Sequence, residues 1–228
     1  MQRILIVFNL FKKQTFKDIP NIDLDQLKKR TKIVVIDDEE DSFPVTSIQN
    51  FGFTVEYWNQ LDANKLKRLE NKEFDIIILD IIGIANTNEL GQINGIDILK
   101  TLKNTNPNQI IIAFSGSTYD ISKAEFWKLA DGFMKKPIEL LNTKEKLEQI
   151  IKDNFSNERL INELQSLMKL QIENQSDYKK IEDYIVKTVK KQNTLNLGKL
   201  VASGITDTSG VLAIVTSLIT IYEKYNND

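Results

Sequence analysis

Four short apolar runs, each ending in a polar or charged residue and separated by stretches of helical periodicity, constrain this chain more than any other feature. Lys32-Ile33-Val34-Val35-Ile36 ends in Asp37-Asp38, and Asp75-Ile76-Ile77-Ile78-Leu79 ends in Asp80. Ile110-Ile111-Ile112-Ala113-Phe114 ends in Ser115, and Gly132-Phe133-Met134-Lys135 ends in Lys136-Pro137. Short β-branched runs without polar alternation imply parallel strands covered on both faces, and such sheets bind ligands at the carboxyl ends of their strands. Asp37, Asp38, Asp80, Ser115 and Lys136 are therefore expected to converge on one pocket.

The spacing predicts five strand-helix units: strands at 33–36, 53–58, 76–80, 109–115 and 133–135. The intervening helices start near Pro44, run through 63–69 and 95–103, span about 122–129, and begin near Thr143 after Pro137. The fold class is α/β, a doubly wound five-stranded parallel sheet. Residues 1–30 stand outside the alternation as an N-terminal extension. In it Ile4, Val7, Phe8 and Phe11 fall on one face of a short amphipathic helix, and docking on protein surface is favoured over membrane contact.

Beyond residue 153 the pattern turns purely helical, giving a division into 1–30, 31–153 and an α-helical C-terminal region 154–228. Leu160, Leu164, Leu167 and Met168 form one apolar stripe, and Tyr178, Ile181, Ile185 and Val189 form another. The segment 212–221 is apolar almost all round yet too short to span a bilayer, and Asp207 interrupts its upstream extension. Burial in a bundle or between subunits is the expectation, with a homo-oligomer formed through these helices.

Composition narrows the chemistry. The 228 residues contain neither cysteine nor histidine, which excludes disulfides, the usual zinc ligand sets and any mechanism built on thiolate or imidazole. A net charge of -2, spread evenly along the chain, offers no basic surface for nucleic acid. Lys179, Lys180, Lys187, Lys190 and Lys191 cluster, but Glu182 and Asp183 interrupt them. The absence of cysteine and of a secretory pattern fits a cytoplasmic protein.

Two adjacent acids on one strand end and a third on the next would repel one another unless a cation neutralised them. Magnesium suits such a site, since it takes a few carboxylate oxygens, keeps several waters and leaves room for a phosphoryl oxygen. Asp80 can then act as a nucleophile that forms an acyl phosphate. The Lys136 ammonium and the Ser115 hydroxyl would meet the remaining charge of the transferred group.

In order and spacing these residues resemble the receiver domain of two-component response regulators. That family has an acidic pair after strand one, here Asp37 and Asp38, and a phospho-accepting aspartate ending strand three, here Asp80. A Ser or Thr ends strand four, matched by Ser115, and a Lys-Pro follows strand five, matched by Lys136 and Pro137. The resemblance covers about residues 31–153 and implies a flavodoxin-like fold with Mg2+ as cofactor. It implies phosphotransfer to Asp80 from a histidine kinase or phosphotransfer protein, with self-catalysed phosphotransfer and dephosphorylation and no other enzymatic activity. It also implies that the main-chain carbonyl of Ile82 completes the metal site, and it puts Phe133 at the family's aromatic switch position.

Two departures stand out. Gly95, the match to a glycine that the family keeps shortly after its acceptor, lies fifteen residues beyond Asp80. The loop over the pocket is thus longer than usual, and it reads equally as a lid, a recognition surface or a neutral insertion. The C-terminal region matches no effector domain and is not basic, so a DNA-binding output is not expected. A helical interaction or oligomerisation module is. The alternative is a scaffold with the same fold that acts without phosphorylation. An aspartate-nucleophile phosphatase fits less well, because Ile81-Ile82 follows the acceptor where those enzymes carry Asp-x-Asp.

Overall fold

The computed structural model describes residues 13–116 and 128–226. The expected amphipathic helix at 4–11 and most of the expected helix at 122–129 lie outside the described residues. The chain divides into two compact units, one of residues 24–151 and one that combines 13–23 with 152–226.

The first unit is built on β1 (Lys32–Ile36), β2 (Thr54–Trp58), β3 (Ile76–Leu79), β4 (Ile110–Ser115) and β5 (Gly132–Lys135). All neighbouring strands pair in parallel, in the order β2-β1-β3-β4-β5. Every residue of β3, and all of β1 after Lys32, is buried, as the unbroken apolar runs require of strands covered on both faces. On one face Val34, Ile36, Ile77, Leu79, Ile111 and Ala113 form a core with Ile98, Leu99 and Leu102.

The helices of this unit that lie wholly within the described residues are α1 (Leu24–Arg30), α2 (Val45–Asn50), α3 (Ala63–Glu70), α4 (Thr87–Leu90), α5 (Gly95–Thr105) and α6 (Leu140–Phe155), whose last residues pass into the second unit. Asp62 caps α3, and Asn94 caps α5 while its own main-chain N-H donates to the Asp97 carboxylate, which satisfies amide groups that a helix start leaves open. α6 begins at Leu140, three residues before the expected start, because the turn after Pro137 is shorter than the pattern suggests.

The long loop after β3 is anchored at several points. Leu61 N-H donates to the Ile84 carbonyl at 2.6 Å and Asn86 N-H to the Leu61 carbonyl at 2.8 Å, forming a short parallel bridge between the segments that follow β2 and β3. Ile84 is fully buried and joins the core. Because β1 lies between β2 and β3, this bridge crosses the carboxyl end of β1, where Asp37 and Asp38 stand.

The second unit contains α7 (Asn157–Gln171), α8 (Gln175–Lys190), α9 (Leu197–Ala202) and α10 (Thr208–Asn226). Leu160, Leu164 and Met168 of α7 and Ile181, Ile185 and Val189 of α8 are buried, as their helical spacing predicts. α10 packs against α7, α8 and α9, and Val211, Ile214, Val215, Leu218, Ile221 and Tyr225 are buried on it. The apolar segment 212–221 therefore obtains its burial within the chain, and exposed apolar area on this helix does not itself force association. Among the described residues no helix is long and apolar enough to cross a membrane.

Residues 13–23 form an integral strap of this helical unit. Phe16 and Ile19 are buried, and the main-chain amides of Gln14 and Phe16 donate to Asp183 at 2.7 Å and Glu182 at 3.0 Å on α8. From α7, Asn157 Nδ2 donates to the Pro20 carbonyl at 2.8 Å.

Candidate functional site

Parallel pairing in register brings the carboxyl ends of β1, β3, β4 and β5 to one edge of the sheet, and the polar residues that end those strands meet there. A cavity of about 690 Å3 opens at this edge, lined by Asp38, Glu39, Asp41, Ser42, Asp80, Ile82, Ser115, Gly116 and Lys136 with Pro137 and Ile138. Asp37 lies beneath it, fully buried.

Lys136, which precedes a cis peptide bond to Pro137, reaches from the end of β5 across β4. Its Nζ donates to Asp37 Oδ1 at 2.8 Å, to Asp80 Oδ2 at 2.9 Å and to Glu39 Oε2 at 3.1 Å. The ammonium also stands 4.9 Å from the centre of the Phe114 ring, a cation-π contact that helps to fix its long side chain. Burial works against this ammonium, but the carboxylates of Asp37, Asp80 and Glu39 outweigh it and hold its pKa above the ordinary lysine value.

The three aspartates have different surroundings. Both oxygens of Asp37 are engaged: Oδ1 by Lys136 and by the Glu39 N-H at 3.1 Å, and Oδ2 by the Ser42 hydroxyl. The Tyr57 hydroxyl at the end of β2 donates to the Asp37 carbonyl at 2.5 Å, and burial followed by the charge of Asp37 pushes this phenol up to about 12. Asp38 is exposed and its carboxylate receives no hydrogen bond among the described residues. Asp80 is buried, with Oδ1 accepting the Ile81 N-H at 2.7 Å. Burial raises its pKa above the ordinary aspartate value, and Lys136 and the Ile81 amide oppose this without cancelling it.

One oxygen from each of Asp37, Asp38 and Asp80 lies within 4.8 Å of the others. An all-oxygen set of this size fits a hard divalent ion such as magnesium. Among the described residues Asp37 accepts three hydrogen bonds, Asp80 one on each oxygen and Asp38 none, so Asp38 and after it Asp80 have the most capacity left for direct ligation.

Ser115 is buried at the end of β4 and lines the cavity, and Gly116 beside it leaves the approach open. Ile82 is 63% exposed at the cavity edge. Phe133 is 55% exposed, with the Lys146 ammonium 4.9 Å from its ring centre. All the residues singled out from the sequence are thus brought to one end of the sheet or to the strand beside it. Three participants carried too little sequence signal to be found: Glu39, Ser42 and Tyr57 are common residue types whose parts depend on contacts across the sheet edge.

A doubly wound parallel sheet ordered 2-1-3-4-5, with its ligand edge at the β1/β3 switch point, is the topology of the CheY-like receivers. The sheet unit has the receiver fold. Solved structures similar to it include a CheY-like receiver domain protein from Methanospirillum hungatei JF-1, at 19% identity and TM-score 0.45 over 54% of this chain and 94% of that one. A two-component response regulator from Clostridium difficile matches at 20% identity and TM-score 0.43, over 54% of this chain and 96% of its own. A response regulator from Thermotoga maritima matches at 16% identity and TM-score 0.42, covering 54% and 98%. The C-terminal helical region is unmatched in these comparisons. No protein-family model matches the sequence. No curated protein matches it either.

The exposure of Asp38 in the sheet unit gives a direct test of the candidate metal site. Asp38→Ala is expected to weaken magnesium binding at least about tenfold, the usual loss when a group that orients or holds a metal is removed. Titration calorimetry checks it, and an affinity equal to that of the parent would put the ion elsewhere.

Proposed function

We propose that this chain is a response-regulator-like signalling protein in which Asp80 accepts a phosphoryl group from a histidine kinase or phosphotransfer protein. The observation that carries this reading is the contact of Lys136 Nζ with Asp80 and Asp37 in a cavity that Ser115 also lines. An Asp80 oxygen forms a bond to phosphorus while the phosphorus-nitrogen bond to the donor imidazole breaks, its electron pair staying on the ring nitrogen. Asp80 is held for attack by the Ile81 amide and by Lys136. Lys136 then meets one oxygen of the new acyl phosphate, and the Ser115 hydroxyl donates to another.

Mg2+ would be held by Asp38, Asp80 and the Ile82 carbonyl, with Asp37 behind them, and would neutralise the charge that builds on the phosphoryl oxygens. On this reading the exposed ring of Phe133 turns inward when Ser115 engages the phosphoryl group. The output is a change in what the helical unit binds, whether a partner protein or a second copy of this chain.

The test is incubation with magnesium and a small phosphodonor, followed by intact mass and light scattering. One added phosphate that chelation of the metal prevents is the expected result, with a change in assembly state if the output is a homo-oligomer. A chain that gains no mass favours a phosphorylation-independent scaffold.

A further inference from the structure

The Lys136 ammonium has three protons to donate and three carboxylates around it, so an arriving phosphoryl group finds no open position on the cation. One partner must leave. Asp37 is fully buried and fixed again by Ser42 and by the Glu39 amide. Asp80 is the proposed acceptor and stays beside the lysine. Glu39 remains: its side chain is 69% exposed, and its Oε2 reaches Lys136 at 3.1 Å from the mouth of the cavity.

We propose that Glu39 is a built-in placeholder anion, a carboxylate that occupies the phosphoryl position on Lys136 and is displaced when Asp80 is phosphorylated. This rests on the reading of Asp80 as the phosphoryl acceptor. The exchange is one anion for another on the same cation. As the Asp80 oxygen bonds to phosphorus and the donor departs with its electron pair, Glu39 swings into solvent and Lys136 turns its freed N-H to a phosphoryl oxygen. The arrangement keeps the lysine aimed at Asp80 in the resting state, and it slows entry of any donor whose phosphoryl group must compete with the Glu39 carboxylate.

A charge-matched pair of variants tests it. Glu39→Gln removes the competing carboxylate, whereas Asp41→Asn removes the same charge from the same cavity mouth at an exposed residue with no contact to Lys136 among the described residues. The measurement is the initial rate of phosphorylation by a small acyl phosphate in excess magnesium, read by intact mass. Glu39→Gln is expected to raise that rate about two- to fivefold over Asp41→Asn, the size of one exposed ion pair. Both variants lose the same long-range repulsion, so the excess over Asp41→Asn reports the local contact with Lys136. Equal rates for the two variants would overturn the placeholder while leaving the acceptor assignment standing. A parent chain that takes no phosphoryl group at all would overturn both.

Discussion

Asp80→Asn gains no phosphate from a small phosphodonor in excess magnesium, where the parent gains one, and it melts at a higher temperature than the parent at neutral pH when no metal is present. The first outcome follows from chemistry, because an amide oxygen cannot form the stable acyl phosphate that a carboxylate forms. The second follows from the surroundings of Asp80. Burial raises its pKa, and the favourable partners Lys136 and the Ile81 amide only partly offset this. With the folded pKa above the unfolded one, the fold favours protonated Asp80. That contribution is fully present below the ordinary aspartate pKa and is lost as pH rises through the raised value. At neutral pH the ionised group is a net cost that asparagine does not carry.

The expected gain is a few degrees in Tm, the usual size for a single substitution in a domain of this size. It should shrink as pH falls below the ordinary aspartate range. Saturating magnesium should reverse it, because an ion that binds only the folded parent stabilises it by mass action. Undiminished labelling of the variant would remove Asp80 as acceptor. A Tm below the parent's across the whole pH range would show that the Lys136 contact outweighs burial.

Much of this site was legible because a parallel sheet turns sequence position into spatial position. Each β-branched run fixes a strand, and each strand ends at the same edge, so Asp37, Asp38, Asp80, Ser115 and Lys136 could be gathered without knowing a single contact. Gly95 was legible too, as the match to a glycine in the family the sequence resembles, although the loop before it is long. The path of that loop was not. Its bridge from Ala85 to Leu61 is one isolated pairing and leaves no periodic trace.

The strap shows the same limit at longer range. Glu182 and Asp183 read as interruptions of a basic cluster, whereas in the fold they receive main-chain amides from residues 166 and 169 positions away. The all-round apolar character of 212–221 was visible and read as burial in a bundle or between subunits. Its actual partners are the stripes on α7 and α8, which were each legible alone but carry no sequence mark of mutual pairing.

Two glycines at the site make opposite predictions although their space is equally tight. A Cβ on Gly95 would lie 2.1 Å from the Asp80 carbonyl oxygen and 2.8 Å from Ile81 Cα, and both are backbone atoms held in place by the sheet and by the Gly95 N-H bond to the Ile81 carbonyl at 2.8 Å. Nothing there can rotate away. Gly95→Ala must push the start of α5 off the end of β3, so it is expected to cost about 2–4 kcal/mol, in the range of overpacking and broken-contact mutants. Phosphorylation should fall with it, because the acceptor's own main chain moves.

A Cβ on Gly83 would lie 2.0 Å from Asp38 Oδ2. That atom is the far end of an exposed side chain, which can swing clear. The cost of Gly83→Ala is then mainly its positive φ of 79°, roughly 1 kcal/mol. The swing turns Asp38 away from Asp80, so magnesium affinity should drop about as far as in Asp38→Ala while the fold survives. Denaturant melts and metal titrations on the two variants separate the cases. Gly95→Ala must lose more stability, and Gly83→Ala must lose metal binding out of proportion to its stability. The reverse order would mean that the Asp38 side chain is held in place by the loop and that the acceptor strand yields more easily than its burial suggests.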